Sequence, residues 1–232
     1  MSDSPQDGAS YLKGEFLERI AHELRGPAGV MLGVLDELEF AMTTDPARVV
    51  ELLRMARRST RRLLRTAERL QHAAQLDSGE VQWQRDPHDL RELVRTAVEN
   101  AERIEARKGI QVQLTLPEAP CLALVDAPWL NAAILELVSN AIRNARTSVR
   151  ISLASNSESA GFELIFADDG AGFAGPITPR FSPPPRRQGL GLSLALVEDV
   201  VRGHEGKLTF ESPTEPEARG TRVHITIAGP GR

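Results

Sequence analysis

One cysteine, one tyrosine and two tryptophans are all that 232 residues hold of these types. The lone Cys121 rules out an internal disulfide and a thiolate metal cluster. It is expected to be a small buried hydrophobe rather than a nucleophile. Long apolar runs are also missing: no stretch approaches the ~20 residues that a membrane span needs. The first ten residues, MSDSPQDGAS, are polar and lack a signal-peptide core. On these grounds the chain is expected to be cytoplasmic, with no membrane contact. A formal net charge of -4 gives no electrostatic reason to expect nucleic acid as a partner. What is present, 41% hydrophobic and 26% charged residues, is the balance of an ordinary folded chain rather than a disordered one.

Residues 10–76 carry a heptad pattern. Leu17, Ala21, Leu24, Ala28, Met31, Leu35, Leu38 and Met42 step alternately by four and three, which places them on one helical seam. Leu53, Ala56, Thr60, Leu63, Ala67, Leu70 and Ala74 repeat the pattern. In the intervening TTDPAR, Asp45 suits a helix cap and Pro46 a first helical turn, where a missing N–H costs nothing. A helical hairpin alone leaves apolar positions such as Ile20 and Val34 uncovered. Pairing with a second hairpin gives a four-helix bundle, so a homodimer is expected. Seven arginines between Arg54 and Arg69 read as a solvated face or, more sharply, as a docking surface for an acidic partner.

Within FLERIAHELRGPAG, His22 follows a seam residue by one position, so its ring is expected to reach solvent. Pro27 removes the i+4 donor of the Glu23 carbonyl, which predicts a bend. A neutral imidazole is nucleophilic near pH 7, and Glu23 is placed to accept its second proton. His22, Glu23, Leu24, Arg25 and Pro27 resemble the H-box of sensor histidine kinases. That resemblance implies that His22 is the phosphoacceptor, and that the hairpin is a dimerisation and histidine-phosphotransfer domain. The family's Thr or Asn position is Gly26 here, which bears on phosphatase activity and leaves the kinase step untouched.

Residues 77–87 read as a linker, with Asp86-Pro87 opening a helix that runs through Leu90, Leu93, Val94, Ala97, Val98, Ala101 and Ile104. Strand-like runs QVQLTL, SVRISLA, FELIFA, KLTFES and TRVHITIA alternate with helical segments at 127–145 and 190–203. This predicts an α/β sandwich over 88–230, and an α+β chain overall. Four clusters stand out there. Glu136, Asn140 and Asn144 stack on one face of an otherwise apolar helix, with Asn131 and Arg143 nearby. Asp168-Asp169-Gly170-Ala171-Gly172 follows a strand, as a tight turn or as a carboxylate offered to a base where the backbone comes close. Gly189, Leu190 and Gly191 precede a helix, where free N–H groups suit phosphate. Gly220 and Thr221 open a final strand.

In order and spacing these clusters resemble the N, G1, G2 and G3 boxes of the Bergerat ATP-binding fold. The resemblance implies ATP and Mg²⁺ as cofactors. Asn140 would coordinate the metal, Arg143 contact phosphate and Asp168 accept a hydrogen bond from the adenine amino group. Gly170 and Gly172 would line the adenine pocket, with Asn144 beside it, and Thr221 would support Asp168. Gly189, Leu190 and Gly191 would form the lid hinge, and Phe181 resembles the aromatic of the F-box. Two positions depart from the pattern. Arg187 replaces the first glycine of the G2 box. Glu136 replaces a frequent Asn, as a carboxylate near the metal or a second base near the γ-phosphate. The family further implies a response-regulator receiver domain as phosphoryl acceptor, and a separate sensor or input protein. A phosphotransfer scaffold with a vestigial ATP domain, or an ATPase driven by Glu136, are the competing readings.

Overall fold

A computed structural model describes residues 5–79, 81–105, 109–156, 161–172, 192–211 and 220–229. The chain divides into two compact units between Ala74 and Gln75.

The first unit is a helical hairpin. Helix α1 spans Pro5–Thr44 and contains Pro27 within it. Helix α2 spans Pro46–Asp77. The turn is built as its sequence demands: Asp45 Oδ1 accepts from the N–H groups of Ala47 at 3.0 Å and Arg48 at 3.1 Å, and Pro46 opens α2. Arg48 then bridges back to Glu37 on α1 at 2.6 Å.

The buried seam differs from the expected one. Val34 is 3% exposed and Leu52 1%, and with Ala41 they form the hairpin's core. Leu35 and Met42, expected inside, are 57% and 67% exposed, and Leu53 is exposed as well. The physical reason lies on α2, whose inward line holds the small Ser59 and Thr66, both buried. The Thr66 hydroxyl satisfies itself on the Arg62 carbonyl at 3.1 Å. Small residues let that line face α1 and leave Leu53 outside, while Leu38 and Ala56 of the expected seams still pack against this core and Thr60 still meets Met31.

The second unit is a two-layer sandwich. Strand β1 (Asp86–Asp89) precedes helix α3 (Leu90–Glu105), strand β2 (Gln111–Thr115), strand β3 (Leu122–Val125) and helix α4 (Ala127–Asn144). Strands β4 (Ser148–Asn156) and β5 (Gly161–Asp168), helix α5 (Leu192–Gly203) and strands β6 (Lys207–Glu211) and β7 (Thr221–Ala228) complete it. The five-stranded sheet has the order β2-β4-β5-β7-β6, parallel only between β2 and β4. A separate antiparallel pair joins β1 to β3. Asp86-Pro87 therefore begins a strand, and the helix expected there starts at Leu90. Asp89 sets that start: its carboxylate accepts the Arg91 N–H at 3.1 Å and grips the Arg91 guanidinium. The Arg91 contact holds the Asp89 pKa down at about 2.

Alternation drives the packing. Every second residue of β7, Val223, Ile225 and Ile227, is buried. These meet Leu164 and Phe166 of β5, Leu130, Ile134 and Val138 of α4, and Val197, Val200 and Val201 of α5 in one core. Cys121 is buried there, as expected.

Candidate functional site

Helix α4 is fixed at its start and open at its end. Asp126 caps it, accepting from the Trp129 N–H at 3.3 Å. Eighteen residues later, the last turn presents its polar side chains. Asn144 Nδ2 donates to the Asn140 carbonyl at 2.8 Å. The Arg143 guanidinium donates to Asn140 Oδ1, and its Nε lies 3.9 Å from Glu105 at the end of α3. One turn back, Glu136 is 6% exposed, so it is a buried carboxylate and not a solvated one.

The end of β5 meets this turn. A Cβ placed on Gly170 would lie 2.3 Å from the Asn144 carbonyl oxygen, so only glycine fits against the helix end. The Gly170 N–H donates to Asp168 Oδ1 at 2.8 Å. Among the described residues that is the single hydrogen bond this carboxylate accepts. Burial pushes the Asp168 pKa up to about 6. The Gly170 bond works against that rise, and the neighbouring Asp169 charge adds to it. Thr221, buried at the start of β7, is the residue paired with Asp168 across the sheet. Gly172 adopts φ 72°, the left-handed conformation that favours glycine.

Asp169 has a different task, one that sequence reasoning read only as a turn. Its carboxylate accepts from the backbone N–H groups of Arg146 at 2.7 Å, Thr147 at 3.0 Å and Ser148 at 3.1 Å, and from the Thr147 hydroxyl. Burial alone would raise its pKa. The bonds from Thr147, Ser148 and Arg146 outweigh that and hold it well below the usual carboxylate range. Asp169 therefore fixes the loop between α4 and β4, and so where α4 ends. The clue in the sequence was the Arg-Thr-Ser run directly after the helix, rich in hydroxyls that suit an acceptor.

Asn140, Arg143, Asn144, Asp168, Gly170 and Thr221 thus gather at one end of the sandwich. Gly189, Leu190, Gly191, Arg187 and Phe181 lie outside the described residues. His22 and Glu23 sit on the hairpin: His22 is exposed on α1, and Glu23 Oε2 lies 3.6 Å from the Arg62 guanidinium of α2. Sequence reasoning read Arg62 only as one of the seven α2 arginines, a solvated face or docking surface, and missed its place beside Glu23. Arg54, Arg57, Arg58 and Arg61 are exposed on α2.

The site suits a nucleotide. Asp168 offers a half-buried acceptor to a donor such as an exocyclic amine, and Gly170 lets the strand end lie directly against the last turn of α4. Among the described residues, no three His, Cys, Asp or Glu side chains gather to hold a metal. Asn140, with Glu136 one turn away, would give the sparse protein ligation that suits Mg²⁺ when phosphate oxygens and water complete its shell. No helix among the described residues is long and apolar enough to cross a membrane.

Residues 125–230 match the family of histidine kinase-, DNA gyrase B- and HSP90-like ATPases. The chain is 27% identical over 209 residues to the sensor protein KdpD of Clostridium acetobutylicum, covering 85% of this chain and 23% of that protein. It is 25% identical over 226 residues to the histidine protein kinase DivJ of Caulobacter vibrioides, covering 93% of this chain and 37% of that one. The chain thus spans well under half the length of these relatives. Among solved structures, Acinetobacter baumannii histidine kinase AdeS aligns with a TM-score of 0.63 and 20% identity, over 90% of this chain and 98% of that one. The match over residues 125–230 and the similarity to these kinases over 85–93% of the chain support a sensor histidine kinase catalytic region.

Proposed function

We propose that the chain is an ATP-dependent protein-histidine kinase of a two-component system, phosphorylated on His22. The observation that carries this reading is the meeting of Asp168 and Gly170 with the last turn of α4, where Asn140, Arg143 and Asn144 stand. Residues 88–230 then serve as the ATP-binding domain, 77–87 as the linker, and 10–76 as the dimerisation and histidine-phosphotransfer hairpin. ATP supplies the phosphoryl group, and Mg²⁺ screens its charge. Phosphoryl transfer asks the protein for alignment and charge neutralisation more than for covalent help. Asp168 holds the adenine amino group while Gly170 and Gly172 let the base approach. Asn140 and Glu136 supply oxygens to the metal, and Arg143 turns its guanidinium to phosphate. Gly189, Leu190 and Gly191 close over the nucleotide, and Thr221 supports Asp168.

On the hairpin, one imidazole nitrogen of His22 attacks. Glu23, oriented by Arg62, takes the proton leaving the other nitrogen. The acceptor downstream is an Asp of a response-regulator receiver domain, met by the exposed arginines of α2. The signal comes from a sensor or input region outside these residues. Leu35, Met42, Leu53 and Leu64, exposed on the hairpin, form the homodimer surface. The kinase acts in the cytoplasm.

The test is incubation with γ-labelled ATP and Mg²⁺. Acid-labile label on the wild type, lost in both His22→Ala and Asn140→Ala, is the expected result. Label that appears only with a donor phosphoprotein would favour the scaffold reading. Phosphate release that survives His22→Ala would favour an ATPase.

A further inference from the structure

Helix α3 ends on a carboxylate that works against the helix. Its last turn holds Glu102, Arg103, Ile104 and Glu105. An acidic side chain there faces the negative end of the helix dipole, which disfavours it. Glu102 at least stays exposed to water. Glu105 does not: its side chain is 11% exposed. A carboxylate so far withdrawn calls for a cation. The Arg143 guanidinium of α4 supplies one, with Nε 3.9 Å from Glu105 Oε1. A residue set against its local rule points to a contact that makes up for it, or to a task.

The pairing comes from helix packing. Helices α3 and α4 lie against each other, and buried Val94, Ala97, Val98 and Ala101 hold α3 in the shared core. That packing sets the end of α3 beside the last turn of α4. Arg143 is engaged on its other edge as well: its Nη2 donates to Asn140 Oδ1. The kinase reading gives that same oxygen to the metal. Asn140 cannot hold a guanidinium and a divalent cation at one oxygen, because the two like charges repel each other. When Asn140 turns to the metal, Arg143 loses that hold and keeps Glu105. A long arginine side chain loses much rotamer freedom when a ligand alone has to fix it. Its flat fork of five N–H donors can serve a carboxylate at the Nε edge and a phosphate at the far edge.

We infer that Glu105 is a positioning residue for ATP: it holds Arg143 by the Nε edge, so that the Nη edge meets the phosphates once Asn140 is given to the metal. This rests on the kinase reading above, in which Glu105 has no part. Glu105 touches no ligand itself and acts only through Arg143. The guanidinium is 38% exposed, and ion pairs with one partner that open to water are weak. The effect on affinity is therefore about two- to fivefold.

Calorimetric titration of the full chain with ATP and Mg²⁺ tests this in Glu105→Gln, Arg143→Ala and the two combined. Gln keeps the size of the side chain and removes its charge. Glu105→Gln is expected to weaken ATP binding about two- to fivefold. Added to Arg143→Ala, it is expected to cost nothing further. A second measurement needs no change at Arg143. Solvent exchange of the Arg143 Nε–H, followed by NMR in the ATP-loaded protein, is expected to quicken in Glu105→Gln by about the same factor. Equal ATP affinity in wild type and Glu105→Gln would overturn the inference. So would an undiminished loss in the Arg143→Ala background, which would leave Glu105 a prop between α3 and α4 only, or an Nε–H that exchanges as slowly as before. A wild type that binds no ATP at all would sink the reading of the site itself.

Discussion

Asp168→Asn is expected to make the protein more stable and, at the same time, poor at holding ATP. The carboxylate is largely withdrawn from water, and the Gly170 N–H is its one hydrogen-bond donor among the described residues. Burial has moved its pKa from the ordinary 3.8 to about 6. Converted at about 1.4 kcal/mol per pH unit, and halved for the solvent that still reaches the group, keeping it ionised at pH 7 costs about 1.5 kcal/mol of stability. The sign follows from the raised value: the group's favourable contribution is complete below 3.8 and is lost as pH rises through about 6. An Asn carries no charge and still accepts from Gly170. The variant should therefore unfold a few degrees above the wild type at pH 7 to 8, with the gap closing near pH 4. Its amide would turn either a donor or a neutral acceptor toward the adenine amine. The loss of a charge-assisted bond, about 1.5–3 kcal/mol, weakens ATP binding by about 10- to 150-fold. Thermal unfolding across pH 4 to 8 and calorimetric ATP titration read both effects. A variant less stable than wild type at pH 7, a gap independent of pH, or unchanged ATP affinity would refute the reasoning.

Gly170→Ala has nowhere to place its methyl group, 2.3 Å from the Asn144 carbonyl, and should abolish measurable ATP binding in a titration while the far-UV CD spectrum is retained. Asp169→Ala strips the backbone of residues 146–148 of its acceptor and should lower unfolding free energy by about 2 kcal/mol in urea titration at pH 7. Since the Asp169 pKa is depressed, that difference is present above 3.8 and should fade as pH falls below it. Leu53→Asp, on the exposed apolar line of α2, should turn a dimer into a monomer in sedimentation equilibrium and leave the Asp168 pocket's ATP affinity unchanged. His204, whose pKa burial lowers, accepts the Asp126 N–H as a neutral ring, and Asp126 Oδ2 in turn accepts the Gln84 N–H at 2.9 Å. Its stabilising effect is present above 6.5 and lost as pH falls through its lowered value, so Gln84 exchange corrected for intrinsic rate should rise between pH 7 and pH 5.

Local patterns were readable where one residue decides the outcome. The Asp45-Pro46 turn, the five long strand runs and helix α4 follow from side-chain alternation and capping alone. The four-residue strands β1 and β3 did not, because neither is long enough to show a period, and Pro87 looked like a helix opener. Their existence depends on pairing across more than thirty residues. The hairpin seam was misplaced because a heptad of leucines is equally suited to the partner helix and to a second copy. Small Ser59 and Thr66 settled which line turned inward. In Asp168-Asp169-Gly170 the sequence marks two carboxylates without dividing their labour. That division comes from the 146–148 backbone, which lies within reach of the second only after β4 and β5 pair. The bonds of Asp126 with Gln84 and with His204 join residues 42 and 78 positions apart and carry no local signature.

The central claim is a nitrogen–phosphorus bond on one imidazole. The full chain, incubated with ATP and Mg²⁺, digested under alkaline conditions and sequenced by mass spectrometry, should carry an added phosphoryl group on the peptide containing His22, at that residue. Phosphate found on another side chain, or ATP consumed with every peptide unmodified, would contradict it.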